Sequence, residues 1–381
     1  MLTLPPLSHA GSLKPLVELI VQDLADCRAA IWVGEPDADL SSTEETAVDA
    51  RGDAESDSDA APERPSNSAV EFFHRFQAKL PEWMTQAAEP RWQNAVLAWP
   101  KARAEGMMWL HLLGARLEVG GKLWVYGHNR GGIKSADRAL AEVFGNAEVL
   151  ASKAHGRLLQ AVKTAPIGQG ALADWVEAVT MTIPSLAVPP LAFPPLAADA
   201  SQPAAQQLTL TSYPGCFAHG RLDAGTAFLL AHLPAFAGDQ RVLDYGSGVG
   251  VIAAALRARQ PKQRLTLIDI DSLALQAAAV NLPDGHGLAT ATLLHGDRLD
   301  ALDLHQRFDA IVSNPPIHQG AAQSMDVLAR LIADAPRFLS HGGALYLVMQ
   351  HRLNLAPLLQ TRFEHVELLA SNDQYKLWRA C

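Results

Sequence analysis

Apolar and polar positions along this chain follow two spacings, one helical and one of short buried strands. From Pro15 to Ala30 the apolar residues recur every three to four positions, which predicts a helix, and Ala29–Gly34 follows as a strand. Between Val70 and Val179 short strands alternate with helices. Ala95–Trp99 is a strand leading into Pro100–Glu105, and Gly120-Gly121 turns into a strand ending near Gly127. Further on, Leu222–Thr226 opens a helix for which Asp223 suits the N-cap, because its carboxylate can accept from first-turn N–H groups. Strands are predicted at Val242–Tyr245, Leu265–Asp271, Thr292–Leu294, Phe308–Val312, Gly342–Met349 and Tyr375–Arg379. Strand–helix alternation of this kind implies an α/β fold, a parallel sheet with helices on both faces.

The pattern occurs twice. Leu117–Val125 matches Leu339–Leu347, each with a Gly-Gly turn, and Asn94–Pro100 matches Asp309–Pro315, in the same order in each half. Two tandem copies of one fold are therefore expected. In this alignment the first copy has Trp99 where the second has Asn314. The first copy also lacks an alternating-glycine loop, since its first strand runs from Gly34 into an acidic stretch. It reads as a degenerate copy suited to packing or RNA binding.

Two stretches have neither period. Residues 35–68 are acidic, rich in Ser, Ala and Pro and poor in large apolar side chains, so a disordered insertion is expected there. Met181–Ala198 is apolar and uncharged, but Pro184, Pro189, Pro190, Pro194 and Pro195 exclude a spanning helix. It reads as an extended linker over 183–206, separating a first domain (1–182) from a second (207–381).

Charge changes the picture only once it is located. Glu35–Arg64 holds eleven acids and two arginines, which accounts for the whole formal net charge of −9. The remainder is close to neutral, so the acidic total does not exclude a nucleic-acid partner. Lys101, Arg103, Arg130 and Lys134 are the candidate RNA contacts of the first copy. Three cysteines without metal-like spacing imply neither a disulfide framework nor structural zinc, and no metal is expected. No basic-then-apolar leader is apparent, so a cytoplasmic protein is expected.

The chemistry concentrates in the second half. Asp244-Tyr245-Gly246-Ser247-Gly248-Val249-Gly250 joins a strand to a helix. Its glycines let a ligand lie against main-chain N–H groups. A dinucleotide loop would place its third glycine where Val251 stands. Asp269 ends the next strand about twenty residues on, where it could grip ribose hydroxyls. Asp244, Asp269, Asp297 and Asn314 all fall at strand carboxyl ends, where such sheets bind ligands. Asn314-Pro315-Pro316 offers a side-chain oxygen and a backbone carbonyl in a rigid turn. Two acceptors aimed at the hydrogens of an exocyclic amine or an amide localise its lone pair and make it nucleophilic.

The loop resembles the first motif of class I methyltransferases. Pro214-Gly215-Cys216-Phe217, Leu222-Asp223-Ala224-Gly225 and Asn314-Pro315-Pro316-Ile317-His318 resemble the bacterial guanine-N2 methyltransferases of ribosomal RNA. Trp99–Glu105 and Gly127–Gly132 are similar to the ribosomal RNA small subunit methyltransferase C branch. The resemblance implies two class I methyltransferase-like (Rossmann-like) domains, the N-terminal one degenerate. It implies S-adenosylmethionine as cofactor, held by Asp244, Gly246, Ser247, Gly248, Gly250, Asp269, Ile270, Asp297 and Asn314. The catalytic set it implies is Asn314, Pro315, Pro316, Ile317 and His318, acting on guanine N2 of ribosomal RNA or of an assembled small subunit. A monomer away from membranes is the expected form. Ile317 stands where the family usually has an aromatic residue that stacks on the target base. The competing readings are methylation of another amine or amide (large-subunit guanine, DNA adenine, a release-factor glutamine) and a non-catalytic RNA-binding assembly protein.

Overall fold

The computed structural model describes residues 13–24, 29–34, 69–73, 75–76, 79–184, 206–284, 290–315 and 321–381. The acidic stretch 35–68, the Pro-rich residues 185–205, and Pro316, Ile317 and His318 lie outside the described residues.

In chain order the first half contains α1 (Lys14–Leu24), β1 (Ala29–Val33), β2 (Ala69–Phe73), α2 (Glu82–Thr85) and β3 (Trp92–Ala98). It continues with α3 (Arg103–Arg116), β4 (Leu117–His128), α4 (Ala136–Phe144), β5 (Glu148–Lys153) and β6 (Gly156–Val162). The second half contains β7 (Glu177–Ile183), β8 (Gln206–Ser212), α5 (Ala224–His232), β9 (Arg241–Tyr245), α6 (Val251–Arg259) and β10 (Arg264–Asp269). After it come α7 (Ser272–Asn281), β11 (Thr292–His295), β12 (Phe308–Ser313), α8 (Ala321–Phe338) and β13 (Leu339–Gln350). The chain closes with α9 (Ala356–Leu359), β14 (Val366–Ser371) and β15 (Tyr375–Ala380).

The first sheet has the order β2-β1-β3-β4-β6-β5 and the second β11-β10-β9-β12-β13-β15-β14. In both, the strands before the last two run parallel and those two are antiparallel. The second sheet buries alternate residues on opposite faces, as a strand period of two requires. Val242, Leu267, Ala310 and Val312 join one core with α5 and α6. Leu243, Ile268, Ile311 and Leu345 join the other with α8.

The shared strand order confirms the repeat, and the register corrects its alignment by one residue. Trp92 pairs with Leu117 and Asn94 with Lys122, across an irregularity that recurs between Phe308–Leu339 and Ala310–Ala344. Asn94 also faces Ala30 as Ala310 faces Val242. Ala98, not Trp99, is therefore the counterpart of Asn314, and Trp99 the counterpart of Pro315. The sequence alignment slipped because both strands end in an apolar run before proline. Trp99 closes the crevice of the degenerate copy: a Cβ on Gly106 of α3 would meet its ring at 2.5 Å, so glycine is what admits the indole.

The two compact units do not divide where composition changes. Pro81–Trp175, with the described residues before Arg75, forms one; Arg75–Leu80 and Val176–Cys381 form the other. The expected boundary at 182 moves because β7 pairs antiparallel with β8 from Glu177–Ser212 to Ile183–Gln206. Met181 and Ile183 of β7 enter the second unit's core. Ile183, Pro184 and Gln206 thus belong to ordered structure and not to a linker. No helix among the described residues is long and apolar enough to cross a membrane.

Candidate active site

At the carboxyl end of β9 the chain turns through Gly246–Gly250 into α6. Gly246 N and Ser247 N both donate to Ile268 O, which straps the turn to β10. Gly250 has φ +81 and packs tightly, since a Cβ there would lie 3.3 Å from Leu267 and 3.4 Å from Ala278. Gly248 has φ +54, but its Cβ direction opens into empty space. Gly250 is thus glycine for close packing, whereas Gly248 leaves a cradle that any side chain would fill.

Asp269 ends β10 and receives two backbone N–H groups, from Gly248 at 2.6 Å and from Asp271 at 2.8 Å. A carboxylate has about four acceptor positions, so lone pairs remain for incoming hydroxyls. Burial pushes its carboxyl up to about 6, with Asp271 adding to the rise and the two N–H donors and Arg75 opposing it. Asp244 is fully buried beneath the loop; its Oδ2 accepts from Ala253 N at 3.2 Å, and burial raises it to about 7. Its Oδ1 and the hydroxyl of Ser247 are buried without a protein partner. A ligand bringing its own donors would satisfy both. Open glycine, free carboxylate positions and orphaned polar atoms together fit a cofactor with an amino-acid end and a ribose. Ile270 is at the edge of exposure beside Asp269. Asp297, after β11, is half-buried and accepts at its backbone oxygen from Tyr245 Oη.

Asn314 follows β12, and its amide is clamped. Nδ2 donates to Asp223 Oδ2 and to Thr226 Oγ1, both at 2.9 Å. Asp223 also accepts from Thr226 N at 2.9 Å, so the expected N-cap of α5 is present and has a second duty. With a carboxylate facing Nδ2, the amide can sit only one way round, and Oδ1 is left for an external donor. Gly225 leaves room for the arrangement, since a Cβ there would lie 3.1 Å from both Asp223 Oδ2 and Tyr375. Ser313 Oγ donates to Tyr245 O at 2.7 Å, which ties the end of β12 to the glycine loop. Pro315 is buried. Sequence reasoning gave Asp223 only its capping role; the signal for more was that Leu222-Asp223-Ala224-Gly225 is one of the stretches that carry the family resemblance. Asp223→Ala should cost about 1 kcal/mol of stability through the lost cap. It should also slow turnover by about tenfold to 10²-fold through a loosened Asn314. Thermal melts and single-turnover kinetics would separate the two.

In the first unit Lys101, Arg103, Arg130 and Lys134 are all exposed. They lie on adjoining loops at the carboxyl ends of β3 and β4, where Gly132, at φ +93, approaches Lys101 O. Arg103 is paired with Glu142 at 2.7 Å, so it contributes less free charge than its place in the sequence indicates.

A glycine-lined strand–helix turn, an acid on the neighbouring strand and an oriented Asn-Pro define a methyltransferase of the class I, Rossmann-like type. Residues 207–379 match the family model Methyltransferase small domain, and 62–179 match Methyltransferase small domain N-terminal. Ribosomal RNA small subunit methyltransferase C of Pseudomonas aeruginosa (strain LESB58) is 36% identical over 297 residues, covering 78% of this chain and 81% of the relative. The enzyme of that name from Shewanella sediminis (strain HAW-EB3) is 30% identical over 320 residues, covering 84% and 82%. A solved structure of the T. thermophilus 16S rRNA N2 G1207 methyltransferase, in complex with AdoMet and guanosine, superposes with a TM-score of 0.66. It is 25% identical, with 83% of each chain covered. The chain belongs to the ribosomal RNA small subunit methyltransferase C family.

Proposed function

We propose that this protein transfers a methyl group from S-adenosylmethionine to the exocyclic N2 of a guanine in small-subunit ribosomal RNA. The observation that carries the reading is the clamped Asn314 amide at the carboxyl end of β12, beside the glycine loop. When bound, the cofactor supplies an electrophilic methyl group on a positive sulfur. The Gly246–Gly250 loop, Asp244, Ser247 and Asp269 hold it, and Ile270 and Asp297 border its base. Asn314 Oδ1 and the Pro315 carbonyl accept the two hydrogens of N2 and turn its lone pair toward the methyl carbon. Bound S-adenosylmethionine would supply the methyl group and depart as a neutral thioether, and N2, held by the two oxygens, would release one proton to solvent. Catalysis here is mainly positioning, with the two oxygens stabilising the positive charge that develops on N2.

Family membership, and a relative's structure holding guanosine, favour guanine over adenine or a glutamine amide as the acceptor. A ribosomal RNA substrate supports a cytoplasmic reading. The test is methyl transfer from labelled S-adenosylmethionine to small subunits and to naked small-subunit RNA, followed by nucleoside mass spectrometry. N2-methylguanosine is expected; a different methylated nucleoside, or none, would overturn the reading.

The exposed basic residues of the first unit are proposed to hold the RNA backbone. Replacing Lys101, Arg130 and Lys134 together by Gln should weaken RNA binding. It should also lower the slope of log affinity against log salt by roughly two to three, about 0.7–0.9 per lost phosphate contact. Adding Arg103→Gln should change little more, because Glu142 already engages it. An unchanged salt slope would leave these residues as ordinary solvated surface.

A further inference from the structure

Arg75 and Phe76, in a segment of the first half of the chain that belongs to the second unit, contact the Asp271–Ser272 start of α7 and the end of β11. Arg75 is buried. Its Nε donates to Asp271 Oδ1 at 3.1 Å and its Nη2 to Asp271 Oδ2, a two-pronged pairing. Its backbone oxygen accepts from Ser272 N at 2.9 Å and Ser272 Oγ at 2.5 Å, which ties it to the first turn of α7. The next residue, Phe76, accepts at its oxygen from His295 Nε2 at 2.9 Å, at the end of β11. Asp271, held in this way, caps α7 through Leu273 N and donates its own N–H to Asp269 Oδ1.

Three carboxylates crowd this end of the sheet. Asp269 faces Asp244 on β9 and Asp271 before α7, and both pairs are repulsive. Arg75 pairs with Asp271 and acts on Asp269, while Cys216, with its sulfur 3.6 Å from Arg75 Nη2, is held protonated by burial that pushes its thiol up to about 12. On the far side Asp269 and Asp297 flank Tyr245, with Arg298 and Arg330 beyond; His295 is engaged by Phe76.

We infer that Arg75 is a positioning residue of the cofactor site: clamped on Asp271, whose N–H donates to Asp269, it holds the Asp269–Asp271 turn where Asp269 would meet ribose hydroxyls. The inference rests on the proposed S-adenosylmethionine site. A fragment starting at Gln206 would lack both this residue and β7, so the experiment uses the full chain.

The test is calorimetric titration with S-adenosylmethionine from mildly acidic to mildly alkaline pH, alongside thermal melts without cofactor. A cation near a carboxylate favours its charged form. Arg75→Gln should therefore move the acid limb of binding to higher pH, weakening affinity below neutrality by about tenfold or more, with recovery in alkali. Asp271→Asn keeps a capping side chain and removes a repelling charge, so its acid limb should move to lower pH. Arg75→Lys should keep the unmodified protein's limb. If Arg75→Gln folds and its limb does not move, or if both neutralising variants lose affinity equally at every pH, the inference is overturned. If Arg75→Gln does not melt cooperatively, the pair Arg75→Gln with Asp271→Asn decides: its limb should lie at higher pH than that of Asp271→Asn alone, and coincidence of the two limbs refutes the inference. Binding by the unmodified protein separates this failure from that of the cofactor reading, because no binding at all would remove both.

Discussion

Asn314→Ala should reduce single-turnover methyl transfer to guanine N2 by about 10²–10³, the usual cost of one preorganised polar contact at a reacting centre. Affinity for S-adenosylmethionine should change little, because the grip proposed for it lies in the glycine loop and Asp269. Asn314→Asp is the more informative variant. A carboxylate would keep an acceptor for the amine, and from the sequence alone partial activity would follow. The structure reverses that expectation. The group facing position 314 is Asp223 Oδ2 at 2.9 Å, so the variant would set two carboxylates against each other and lose both donors to Asp223 and Thr226. It should be no more active than Asn314→Ala. The pair Asn314→Asp with Asp223→Asn should recover part of the loss, since an amide would then face the new carboxylate. Near-normal turnover in Asn314→Ala at saturating cofactor would mean the Asn-Pro turn is only a turn.

Asp269→Asn should have the opposite kinetic signature. Gly248 N and Asp271 N both point at this carboxylate, so one of them would face an amide NH₂. Hydrogen bonds to a charged group contribute about 1.5–3 kcal/mol each. Losing the ribose grip should thus weaken the cofactor by about 10²-fold or more, with turnover at saturation nearly preserved. The pH dependence follows from the raised carboxyl, at about 6 in the folded protein against an ordinary value of 3.8. Between these values the folded state binds a proton that the unfolded state does not. Asp269 therefore contributes stability to the cofactor-free protein that grows as pH falls from neutrality toward the unfolded value. Asp244, raised to about 7, acts in the same direction. Cofactor binding needs the charged form and should weaken as pH falls through about 6. These two groups thus push stability up and affinity down on mild acidification. Calorimetric affinities and melting temperatures over that range would check both slopes, and Asp269→Asn should flatten each.

Much of this was present in the order of residues. The glycines, the acids at strand ends and the Asn-Pro-Pro turn are local features, and each demands its own backbone shape wherever it occurs. Apolar spacing separated strands from helices because the two periods differ, and the doubled Gly-Gly turns revealed the repeat. What the order could not specify was pairing between distant side chains. Asn314 meets Asp223 across 91 residues and Arg75 meets Asp271 across 196, and no periodic signal spans such gaps. The register that makes Ala98 the counterpart of Asn314 comes from hydrogen bonding between neighbouring strands, which an apolar run ending in proline leaves ambiguous by one place. The boundary at Val176 is likewise set by where β7 finds a partner and a core. The sequence alone thus determined the type of fold, the glycine-rich turn and the Asn-Pro turn, because those are local demands on the backbone. Which way the Asn314 amide faces, and which cation pairs with Asp271, were decided only by the tertiary structure, because burial brings together groups that are remote along the chain.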